Sequence, residues 1–190
     1  MDRGHYEEGR RRLAEALAAP GAQGHSRERA EALGGAGVLA FRQGDNEAAR
    51  TSQEESLALA REIGVREEEA RALSGLARVA LRDGDFAAVR ARAEESLAIW
   101  RELGDEVGFA RPLHVLAYVT KMEGDLQKAQ VLFEESLALN ARLGNRSMVA
   151  VERANLCQVA KQLGDLDRAE TSGRESLRLA LELDSRYLIA

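Results

Sequence analysis

Gly-Asp recurs at Gly44-Asp45, Gly84-Asp85, Gly124-Asp125 and Gly164-Asp165, one copy every forty positions and with no insertion. A strict period in the range of roughly 20–50 residues means one supersecondary unit, copied and stacked. Other residues keep the same register. Ser56, Ser96, Ser136 and Ser176 follow the four glycines at one fixed distance, and each is followed by a Leu: Leu57, Leu97, Leu137 and Leu177. Gly64, Gly104 and Gly144 stand midway between successive Gly-Asp pairs, and Asp184 takes the corresponding place after the last pair. Gly4-His5-Tyr6 precedes Gly44-Asp45-Asn46 by one full period, so the register also covers the start. We expect one array over 1–190: a half repeat at 4–23, full repeats at 24–63, 64–103, 104–143 and 144–183, and a stub at 184–190.

Each repeat reads as two helices. A Gly just past a helix end supplies the left-handed conformation that closes it. The Asp or Asn after it accepts from the free N–H groups of the next helix. Between glycines the apolar spacing is helical: Leu126, Ala129, Phe133, Ser136, Leu137 and Leu143 recur mostly at steps of three and four. Sustained alternation of the kind strands need is absent. The spacing predicts helices near 28–43, 46–62, 67–83, 86–102, 106–123, 126–142, 146–163 and 166–182, after a leading helix near 6–18. Links of two or three residues make neighbours antiparallel. One hairpin cannot bury its apolar face alone, so hairpins stack into an all-α solenoid. Pro112 conflicts with this pattern, and a late start to its helix, helped by Gly108, is expected ahead of a kink.

Composition narrows function. The net charge is −5, where a general nucleic-acid binder is usually basic, so direct nucleic-acid binding is not expected. A single cysteine, Cys157, rules out an internal disulfide framework. No apolar run approaches the ~20 residues that span a bilayer. Met1 to Leu13 lacks the apolar core of a signal peptide, so a cytoplasmic protein is expected.

Chemistry-bearing constellations are weak. Glu54-Glu55, Glu94-Glu95 and Glu134-Glu135 repeat with the array and read as a solvated face, not as acid–base pairs. His5, His25 and His114 fall in different units with no second ligand at helical spacing, so no metal site is expected. Cys157 occupies a small-residue packing position and reads as a buried space-filler. Gly34, Gly35 and Gly37 lie inside a predicted helix and are not a phosphate loop. No enzyme activity and no cofactor are expected. Trp100 replaces Ala60, Asn140 and Ala180 in register and is expected in the core.

The pattern resembles the tetratricopeptide repeat. The Leu position of that motif holds Ala36, Leu76, Leu116 and Leu156, followed by the small residues Gly37, Ala77, Ala117 and Cys157. Turns such as Gly84-Asp85-Phe86 match, as do Gly9, Ala49, Val89, Ala129 and Ala169 at the small position beyond them. Ala16 and the serines at 56, 96, 136 and 176 take the Ala-like position. The repeat is longer than the family's ~34 residues, and the closing Pro is missing. The phrases at 54–64 and 94–105 are similar to a longer variant found in the C-terminal arrays of bacterial LuxR-type and related signal-transduction ATPases.

The resemblance implies a right-handed superhelical solenoid whose first helices line a concave groove for a protein or peptide. The groove positions, transferred to this register, hold Arg42, Arg71, Arg78, Arg82, Arg111, Lys121 and Lys161 against the acid Glu31, joined by His114, Tyr118, Asn155 and Gln158. Such a groove would favour an acidic partner, although Glu67 stands one helical turn before Arg71 and could pair with it. A small-molecule effector is the alternative occupant. Self-association is another alternative, through the apolar ends at Leu13 and Leu17 and at Tyr187, Leu188 and Ile189.

Overall fold

The computed structural model describes residues 3–21 and 23–183. Among them are nine helices and no strand: α1 (Arg3–Ala18), α2 (Arg27–Gln43), α3 (Asn46–Glu62), α4 (Arg66–Asp83), α5 (Phe86–Leu103), α6 (Glu106–Met122), α7 (Leu126–Arg142), α8 (Arg146–Leu163) and α9 (Leu166–Glu182). The bounds lie close to those expected from the glycine register, apart from α1, which starts at Arg3.

The punctuation works as the chemistry requires. Gly44 and Gly84 close α2 and α4 with φ of 85° and 76°, a region that penalises any residue with a Cβ. The next residue caps the following helix: Asp45, Asp85, Asp125, Asn145 and Asp165 accept from the backbone N–H groups of Ala48, Ala88, Lys128, Met148 and Arg168.

The repeating serine proves to be more than small. Ser56, Ser96 and Ser176 each donate to the carbonyl 26 residues earlier, on Ala30, Ala70 and Ala150, at 2.8 Å. A helical carbonyl keeps a second lone pair, so a hydroxyl at the crossing point joins the two helices without breaking either. Gln53 donates to the carbonyl of Gly34 while Ser56 donates to that of Ala30. Numbers fall along α2 as they rise along α3, as in an antiparallel hairpin.

The chain divides into two compact units, residues 1–108 and 109–190. In the first, Ala30, Leu33 and Leu59 form a core against Leu17 and Ile63, and Ala40, Ala49 and Val79 form another against Phe41. Close packing here rests on glycine. A Cβ on Gly37 or Gly75 would lie 2.6 or 2.5 Å from the Gln53 side chain. A Cβ on Gly108 would lie 2.1 Å from the indole of Trp100, which is buried as expected. In the second unit the core is Ala117, Ala129, Phe133, Leu156 and Val159.

Three expectations are corrected. The helix containing Pro112 does not start late: α6 begins at Glu106, because Asp105 Oδ1 accepts from the N–H groups of Val107 and Gly108 and fixes the first turn before the proline. Cys157 is half-buried rather than buried, with its Sγ 3.2 Å from where a Cβ on Gly173 would stand. Leu13 and Leu17 do not present an open end. Leu17 packs on the Ala30–Leu33–Leu59 core, and Leu13 lies against Gly35 of α2. Tyr187, Leu188 and Ile189 lie outside the described residues.

Candidate binding face of the second unit

Within the second unit, α6, α7 and α8 gather the expected groove residues His114, Tyr118, Lys121, Asn155 and Gln158 around one polar network. Its floor is Phe133 of α7, fully buried. From α6, His114 lies against that ring at 6.4 Å between centroids, and Lys121 Nζ sits 6.0 Å from the same ring and 4.6 Å from that of Tyr118. From α8, Gln158 Oε1 accepts from Lys121 Nζ at 2.9 Å and Asn155 Oδ1 accepts at 3.4 Å. Arg111 and Lys161 are exposed on α6 and α8.

Lys121 is the unusual cation of this group. It is half-buried, its hydrogen bonds go to two neutral amide oxygens, and burial pushes its pKa below the ordinary lysine value. Aromatic faces and amide dipoles offset only part of the lost hydration.

The network ends on a residue absent from the expected groove. Glu152 of α8 is fully buried. Its Oε1 accepts from Ser136 Oγ at 2.6 Å and lies 2.8 Å from His114 Nδ1. Its Oε2 accepts from Asn155 Nδ2 at 3.5 Å. Ser136 Oγ accepts in turn from Asn140 Nδ2 at 3.3 Å. Glu152 has a sequence signal: an acid stands where the other repeats have Ala32, Ala72 and Pro112. It escapes the groove register because it sits one helical position from the transferred stripe.

The first unit treats its groove cations differently. Arg71 is paired with Glu67 and with Glu68 Oε1, the latter at 2.8 Å. Glu68 is buried, which raises its pKa above the ordinary value. It is a second acid that the groove register leaves out. Arg78 and Arg82 both lie over the ring of Phe41, at 4.2 and 3.6 Å. Arg82 Nη1 also donates to the carbonyl of Phe41 at 2.7 Å and to Asn46 Oδ1 at 3.1 Å. Arg42 donates to the hydroxyl of Tyr6 at 3.0 Å. These guanidiniums are therefore tied into the scaffold of the first unit.

Among the described residues no group of three or more His, Cys, Asp or Glu side chains could hold a metal ion, and no helix is long and apolar enough to cross a membrane.

Comparison with known proteins bears on the fold. Residues 28–102 match the tetratricopeptide repeat family. No curated protein matches the chain in sequence. Among solved structures, BtubC (BKLC) from P. vanneervenii is 20% identical with a TM-score of 0.77, over 97% of this chain and 76% of that one. Aspartyl phosphate phosphatase F from Bacillus subtilis is 10% identical with a TM-score of 0.79. That match covers 96% of this chain and 47% of the phosphatase, so the chain spans about half its length. A Podosopora anserina putative kinesin light chain with nearly identical TPR-like repeats is 16% identical with a TM-score of 0.67, over 95% and 89% of the two chains. At these identities the likeness concerns fold alone. Residues 28–102 are thus matched by the tetratricopeptide repeat family, and the same forty-residue register of helical hairpins continues to the end of α9.

Proposed function

We propose that this chain is a protein- or peptide-binding scaffold that takes an acidic, extended segment of its partner. It would serve as the regulatory or sensor part of a bacterial signalling or transcription-regulating protein in the cytoplasm. The signalling context rests on the likeness of the phrases at 54–64 and 94–105 to the longer repeat variant. The observation that carries the binding reading is Lys121, a half-buried ammonium held by two amide oxygens. A partner carboxylate would give that ammonium the counter-charge its amide partners lack, and a charge-assisted hydrogen bond is worth about 1.5–3 kcal/mol. His114, Tyr118, Asn155, Gln158, Arg111 and Lys161 would supply the surrounding contacts. On the first unit, Arg71, Arg78 and Arg82 would add long-range attraction.

The test is binding of acidic peptides, followed by fluorescence anisotropy at several salt concentrations. Lys121→Glu should weaken binding about tenfold or more. Charge reversal of Arg78 and Arg111 should weaken it further and flatten its salt dependence. Unchanged affinity and unchanged salt dependence in these variants would overturn the reading.

Self-association is favoured by a separate observation. Leu166, Leu177 and Leu181 of α9 are 69%, 47% and 60% exposed. At about 100° per residue they fall within about 60° of one another on the helix. At the equivalent of Leu177, Leu97 is only 3% exposed. Light scattering over a concentration series tests it: a constant mass, equal to that of Leu177→Glu, would exclude stacking through this face.

A further inference from the structure

We propose that Glu152 is the positioning residue of the α6–α8 face. From inside the core it fixes which atoms of His114 and Asn155 meet a ligand, and so sets the hydrogen-bonding pattern that the face reads. This rests on the reading of that face as a binding surface.

The network can be followed from Lys121. An ammonium only donates, so the Asn155 atom facing Lys121 Nζ at 3.4 Å is the amide oxygen. The amide nitrogen then faces Glu152 Oε2 and donates to it. At the other end, Asn140 Nδ2 donates both to the carbonyl of Ser136 at 2.9 Å and to Ser136 Oγ at 3.3 Å. The serine hydroxyl accepts there, so its proton goes to Glu152 Oε1, 2.6 Å away. Both oxygens of Glu152 therefore accept, the arrangement in which a carboxylate is used. An oxygen that already accepts from Ser136 is best matched by a second donor, so we assign the remaining close contact, His114 Nδ1 at 2.8 Å from Oε1, as an N–H.

Fixing the proton on Nδ1 has a consequence at the surface. In the neutral imidazole Nε2 carries the lone pair, and the His114 side chain keeps 24% of its surface exposed. With that ring neutral, the face presents a donor at Lys121 and an acceptor at His114 Nε2. Its complement is a carboxylate next to a hydrogen-bond donor, which an acidic peptide supplies with its own backbone N–H. Glu152 touches no ligand itself. It acts through His114 and Asn155, each of which could rotate or change tautomer without it.

Two measurements test this. The first is long-range 1H–15N NMR of the His114 ring, titrated to the pH at which the imidazole is neutral. We expect the Nδ1–H tautomer in the native chain and its loss in Glu152→Leu, whose side chain accepts no hydrogen bond. A native ring protonated at Nε2 overturns the proposal, whether or not Glu152→Leu folds. The second compares acetylated tetra-aspartate with the same peptide methylated at every backbone nitrogen. The native chain should prefer the unmethylated peptide about tenfold, the size of one hydrogen bond. Glu152→Leu should lose that preference while still binding both. A preference kept in Glu152→Leu overturns the positioning role. If neither peptide binds the native chain, the acidic-partner reading fails, and with it the role of Glu152 toward such a partner. The tautomer result then separately decides whether Glu152 sets His114.

Discussion

The second and third full repeats place a polar knot at the same register and build it from different chemistry. In the first unit Ser74 Oγ and Ser96 Oγ lie 2.8 Å apart, and Ser96 donates to the carbonyl of Ala70. One period on, in the second unit, His114 and Ser136 hold the corresponding places, and the buried carboxylate of Glu152 has entered between them. The neutral knot costs little to bury and binds helix to helix. The ionised knot is expensive to desolvate, and an apolar substitute would commonly stabilise the fold as well or better. A costly buried carboxylate is understandable where it orients groups that a neutral pair would leave free. The contrast separates a scaffold half, whose arginines are tied down, from a half that presents oriented polar atoms.

Breaking the ionised knot should have the largest effect on stability. Glu152→Ala strands the donors of His114, Ser136 and Asn155, and we expect a loss of about 3–5 kcal/mol in urea unfolding. If the loss is no more than that of a surface residue, the distinction between the two knots collapses.

The first unit should instead be sensitive to volume. Gly108→Ala forces a Cβ against the rigid indole of Trp100, at a cost of about 1–3 kcal/mol. In a Trp100→Ala background the obstruction is gone. There Gly108→Ala should become stabilising by up to about 1 kcal/mol, because alanine is the better helix former. A change of sign between the two backgrounds, read by thermal or urea unfolding, identifies the indole as the obstruction. Equal effects in both would show that it is not.

The neutral knot should respond less than either. Ser74→Ala removes one hydroxyl and leaves Ser96 its bond to Ala70, so a loss of about 1 kcal/mol is expected. A loss as large as that of Glu152→Ala would mean that burial depth, and not charge, governs both knots.

These effects also mark what the sequence makes legible. Helix ends are local events, set by a Gly and the Asp or Asn after it, and so they follow from spacing alone. The start of α6 resists such reading because two local signals compete. Pro112 argues for a late start, Asp105 for an early one, and only the cap geometry shows that the first turn forms before the proline. The serine series is visible as small residues, but its hydrogen bond to a carbonyl 26 residues away depends on how closely the hairpin closes. The groove cations are legible as a stripe. Their partners are less so, because Glu68 and Glu152 lie off that stripe and only packing turns them inward. Glu152 is nevertheless flagged by register, as a charge where its equivalents are Ala32, Ala72 and Pro112.

The smallest expected change concerns Lys121, and it links the two ideas of cost and orientation. Burial lowers the pKa of this amine in the folded chain, while the unfolded chain keeps the ordinary lysine value. Between those two values the unfolded state binds more protons, so stability rises with pH across that alkaline window. Below the window the ammonium is a standing cost. Lys121→Met keeps an unbranched side chain but removes the charge that sits over Tyr118 and Phe133, and should be slightly more stable than the native chain at neutral pH, by less than Ser74→Ala costs. The gap should close as pH rises from the folded-state pKa to the ordinary lysine value, above which the amine is neutral in both states. The same variant should bind acidic peptides more weakly. A Lys121→Met chain that is less stable at neutral pH would mean that the ammonium is already fully compensated by Asn155, Gln158 and the two rings. The second unit would then hold its cation as the first unit holds its arginines, as part of the scaffold.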